Sequence, residues 1–88
     1  MNKLNSLQIK TAHESNLIFD FKHEGVQYRT YIENSVNEGW RVNCIIYWSD
    51  NGREYLDNPQ DELRIALVEL FNKEPKVLRY TEGKAIKN

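Results

Sequence analysis

A chain of 88 residues with 40% hydrophobic and 28% charged side chains has the make-up of one small globular domain, and its net charge of −1 argues against bulk attraction to nucleic acid or membranes, which need positive charge in excess. The single cysteine, Cys44, excludes an internal disulfide and a thiolate metal cage, and points to a reducing cytoplasm. No run approaches the roughly 18 apolar residues that span a bilayer, and residues 1–6 lack the apolar core of a signal peptide.

Residues 1–6 are polar and read as loose. Residues 7–11 alternate apolar and polar and predict a short first strand at a sheet edge. Residues 17–22 predict a second strand, with Leu17, Phe19 and Phe21 on one face and Ile18, Asp20 and Lys22 on the other. His13 and His23 fall in the flanking turns and read as surface side chains. A strand of that length holds them about 30 Å apart at ~3.3 Å per residue, too far for one metal ion. Glu24-Gly25 supplies a tight turn into residues 26–33, where Val26, Tyr28, Thr30 and Ile32 go inward and Arg29, Tyr31 and Glu33 outward.

Residues 40–49 form the central strand. Trp40, Val42, Cys44, Ile46 and Trp48 make an unbroken apolar row, expected in the core, while Arg41, Asn43, Ile45, Tyr47 and Ser49 face away. Asp50-Asn51-Gly52 is the strongest hairpin signal and predicts a short last strand over 53–56. Asn58 as N-cap and Pro59 at the first helical position predict a helix from 59 to about 73, stopped by Pro75. Leu63, Ala66, Leu67, Leu70 and Phe71 lie on its apolar arc; Ile65 and Val68 lie off it, and either residues 77–80 fold over them or they form an exposed apolar spot for a partner, the first being the expectation. Residues 76–80 predict a sixth strand or an ordered tail, and residues 81–88 read as loose. The class is therefore α+β: an antiparallel meander sheet of four to five strands with one C-terminal amphipathic helix packed on one face, in a single domain over 1–88.

The chain carries no glycine-rich phosphate loop, no Ser-centred elbow and no metal-ligand spacing, so neither catalysis, a metal nor a cofactor is expected. Cys44 on the apolar row reads as a buried, slow thiol. What remains is the sheet face away from the helix. Arg29 and Tyr31 on one strand would neighbour Arg41, Asn43, Ile45 and Tyr47 on the next, and tyrosine and arginine are the types favoured at protein interfaces. The expected function is a non-catalytic protein-binding module, acting by steric blocking or assembly. In format it is similar to small phage or mobile-element inhibitors such as the anti-CRISPR class. The alternative is a single-stranded nucleic-acid binder. The order of four strands then a helix is similar to that of the PUR repeat, which implies single-strand binding across the sheet; the likeness is one of element order, and the chain carries no PUR motif. A homo-oligomer is compatible with either, because open sheet edges invite pairing. Residues 50–74 hold three Lys/Arg against seven Asp/Glu, and residues 75–88 hold four against one, so the helix region is the acidic surface and the tail a small basic one.

Overall fold

A computed structural model describes residues 3–88; Met1 and Asn2 lie outside the described residues. Five strands run in sequence order across one antiparallel sheet: β1 (Asn5–Ala12), β2 (Asn16–His23), β3 (Val26–Ser35), β4 (Gly39–Ser49) and β5 (Gly52–Tyr55). Two helices follow, α1 (Glu62–Phe71) and α2 (Pro75–Thr81). The class is α+β, with a second helix where a strand or tail was expected.

The turns behave as their residues dictate. Glu24 (φ 50°) and Gly25 (φ 81°) both take the left-handed region, the geometry of a two-residue type I′ hairpin, and hold β2 and β3 in unbroken register from His23↔Val26 to Asn16↔Glu33. Leu17, Phe19 and Phe21 therefore share a face with Tyr28, Thr30 and Ile32, and all six are buried. Phe71 of α1 sets its ring edge-on to Phe19 (centroids 5.1 Å apart) and Phe21 (5.6 Å). Phe21 stacks on Tyr28 at 5.1 Å. Leu67, Val68, Val77 and Ile86 complete the cluster.

The central strand departs from strict alternation. Ile32 pairs with Val42 and Tyr31 pairs with Cys44, so Asn43 has no partner of its own on β3 and the strand bulges there. The extra residue reverses the facing of everything after it. Trp40 and Val42 go into the core as expected. Ile45 and Tyr47, expected outside, also go in: Ile45 is fully buried, and Tyr47 packs against the cluster with its ring 5.9 Å from Tyr28. Cys44, Ile46 and Trp48, expected inside, turn to the opposite face, and Trp48 is 42% exposed.

His23, expected as a surface turn residue, lies inside instead. It is buried at the end of the inward row of β2, with Nδ1 3.2 Å from the Lys3 carbonyl oxygen.

The helical region differs in three ways. Asn58 caps a separate turn, its Oδ1 accepting from Gln60 N–H, and α1 starts later with Asp61 as N-cap, accepting from Leu63 N–H at 2.8 Å. Pro75 ends nothing: it opens α2 at the first helical position, where its missing N–H is harmless. The buried stripe of α1 is Arg64, Leu67, Val68 and Phe71, so Val68 is inside, while Ala66 and Ile65 are outside. Arg64 is tolerated because its Nη1 donates to the Leu56 carbonyl at 2.7 Å and its Nε to Asn88 Oδ1 at 2.6 Å. The expectation of a loose tail fails with it. Ile86 is 3% exposed, and Lys87 pairs with β4.

The outer strand β1 slips twice against β2, between Asn5 and Gln8 and between Ile9 and Thr11, with Ser6 left-handed at φ 53°.

Trp40→Ala is expected to lower stability by about 3–5 kcal/mol, and Trp48→Ala by only about 1 kcal/mol, in urea denaturation followed by circular dichroism. The reverse order would place the bulge elsewhere.

Candidate protein-contact face

The face away from the core is built from side chains that the register brings into rows. One row crosses all five strands: Gln8 opposes Asp20, Asp20 opposes Arg29, Arg29 opposes Ile46 and Ile46 opposes Tyr55. Beside it, Lys22 opposes Gln27 and Trp48 opposes Arg53. Strands lie about 4.8 Å apart, so each row brings residues distant in sequence within side-chain reach.

The centre of the face is a fixed ion pair. Arg29 Nε donates to Asp20 Oδ1 at 2.6 Å and Nη2 to Oδ2 at 2.9 Å, the two-pronged geometry that fits guanidinium to carboxylate. The hydrogen bonds to Asp20 hold the Arg29 guanidinium well above its ordinary value, so it stays charged. Beside this pair lies a groove of about 570 Å³, walled by Gln8, Lys22, Gln27 and the Trp48 indole. At the β5 margin the Arg53 guanidinium sits 5.8 Å from the centre of the Tyr55 ring, and Tyr55 is 48% exposed. Ile46, between Arg29 and Tyr55 in register, is buried on this side.

The six residues selected from sequence are thus divided. Arg29 and Tyr31 lie on the open face, and Asn43 joins Tyr31 around a smaller hollow of about 200 Å³ that also touches Ile18 and Glu33. Arg41 lies towards the far end, opposite Glu33, and is bonded to Glu38 at 3.0 Å in the neighbouring turn. Ile45 and Tyr47 leave the set, because the bulge turns them into the core. Tyr47 spends its hydroxyl on Glu54 at 2.8 Å. Trp48, Arg53 and Tyr55 join the face. The sequence signal for them was Cys44-Ile45-Ile46, three consecutive apolar residues that strict alternation cannot seat on one side.

Burial pushes the Cys44 thiol up, and the residue lies opposite Tyr31. Among the described residues no three His, Cys, Asp or Glu side chains are grouped to hold a metal ion, and no helix is long and apolar enough to cross a membrane. Comparison with family models, curated proteins and solved structures finds no match for the chain.

Two phenols stand apart electrostatically. Burial, with Glu24 and Asp61 nearby, raises Tyr28 above the usual value of 10.0. The hydrogen bond to Glu54 raises Tyr47. Both shifts favour the neutral phenol in the folded state, so the stability they add is present below about pH 10 and is lost as pH climbs through the raised values. Ultraviolet titration is expected to show two of the five tyrosines ionising late. Tyr47→Phe should remove one late step and flatten the loss of stability above about pH 10.

Proposed function

We propose that the chain is a non-catalytic protein-binding module that engages its partner through the open sheet face and acts by occlusion or assembly. The observation that carries this reading is the corner formed by Trp48, Tyr55 and Arg53. Two large rings stand half out of water beside a guanidinium, on the β4–β5 hairpin and next to a groove. Tryptophan, tyrosine and arginine dominate binding energy at protein interfaces because each combines a large contact area with hydrogen bonding. The centre of the face favours a protein over a phosphate chain: Asp20 neutralises Arg29, and the half-buried Ile18 supplies apolar area. The reading extends to small phage and mobile-element inhibitors only as a comparison of format.

A second reading, single-stranded nucleic acid, draws on the charge of the same face. Lys22, Arg29, Arg41 and Arg53 stand there against Asp20 and Glu33, and Trp48 offers a stacking surface between Lys22 and Arg53.

The two are separated by affinity capture with the wild-type chain and with a Trp48→Ala/Tyr55→Ala double variant, each with and without nuclease. The double variant is expected to unfold within a few degrees of wild type. A protein partner should be retained by wild type after nuclease treatment and lost by the variant. Retention by the variant removes the corner from the site. Loss on nuclease treatment, with affinity falling steeply as salt rises, transfers the face to nucleic acid.

A further inference from the structure

The outer edge of β4 is occupied by two different parts of the chain. β5 pairs with Ile46 to Ser49. Below the bulge the edge is taken by the tail: Val42 N–H donates to the Lys87 carbonyl at 2.8 Å, and Lys87 N–H donates to the Trp40 carbonyl at 2.9 Å, a parallel bridge centred on Arg41. Ile86 enters the core cluster. The carboxamide of Asn72, the C-cap of α1, grips the Ile86 backbone on both sides. Its Nδ2 donates to the carbonyl at 2.9 Å, and its Oδ1 accepts from the N–H at 2.7 Å. Asn88 Oδ1 accepts from Arg64 Nε at 2.6 Å, and its Nδ2 donates to the Pro59 carbonyl at 2.6 Å.

These contacts are a complete recognition set for an extended peptide: main-chain pairing on a sheet edge, one aliphatic socket and one carboxamide socket. All the receiving groups belong to β4, α1 and the turn at Pro59. We propose that the β4 edge at residues 40–42, together with Asn72 and Arg64, is a binding site for an extended peptide of the pattern aliphatic–any–Asn, and that residues 86–88 are its resident occupant.

Two features make the occupant exchangeable. α2 is closed without it, because Glu82 and Gly83 both take left-handed φ (57° and 78°) and both donate to the Leu78 carbonyl. Release of the tail therefore leaves α2 capped. The terms holding the tail are one buried isoleucine and six hydrogen bonds. Against them stands the entropy of ordering the segment after Gly83, a term of similar size, so the segment opens locally while the sheet stays formed. An outside peptide then competes with a tethered one whose effective concentration is of millimolar order.

The test uses the full chain labelled for NMR, a synthetic peptide spanning residues 83–88, and the variants Ile86→Asp and Asn88→Ala, which weaken the occupant and leave the site intact. The peptide should shift the Val42 amide and the Asn72 side-chain amide, and bind the variants about tenfold or more tighter than wild type. A peptide with aspartate in place of its isoleucine should not bind. If Ile86→Asp does not fold, Asn88→Ala decides the matter. No shift in a folded variant at millimolar peptide, equal binding to wild type and variants, or shifts spread over the whole sheet would each overturn the assignment.

Discussion

Asn43 has no partner on β3, and that one extra residue decides which side of the sheet each aromatic group of β4 occupies. Before it, Trp40 and Val42 face the core. After it, the same parity faces outward, and Ile45 and Tyr47 take over the inner positions. A bulge disrupts pairing locally at small cost, because neighbouring pairs remain bonded. Here it lets one strand supply an indole to the interior at one end and an indole to the surface at the other.

The two faces consequently differ in kind. The inner face is a ring cluster, Phe19, Phe21, Tyr28 and Phe71, whose edge-on and stacked contacts bind strand to helix. The outer face has a fixed ion pair at its centre and exposed rings at its margin.

Much of this was legible in the sequence. Gly25 and Gly52 announced hairpins because glycine accepts positive φ, and alternation in β2 and β3 placed Leu17, Phe19, Phe21, Tyr28, Thr30 and Ile32 correctly, while the buried His23 was missed. Arg29 and Tyr31 were placed on the open face for the same reason. The failures share one cause: local patterns are blind to partners distant in sequence. Period-two counting cannot detect a residue skipped by the neighbouring strand, so Trp48 was lost and Tyr47 wrongly gained. Asn58-Pro59 has the chemistry of a helix start but caps a turn, and the true N-cap, Asp61, lies three residues on. The tail looked frayed by composition; Ile86 and Asn88 find their partners on α1, at Asn72 and Arg64.

The crooked course of β1 bears on how copies of this chain can meet. Its two slips and the left-handed Ser6 put the outward amides and carbonyls out of step with those of any straight strand laid alongside. Lateral growth of the sheet into a ribbon or fibril is therefore disfavoured on that flank.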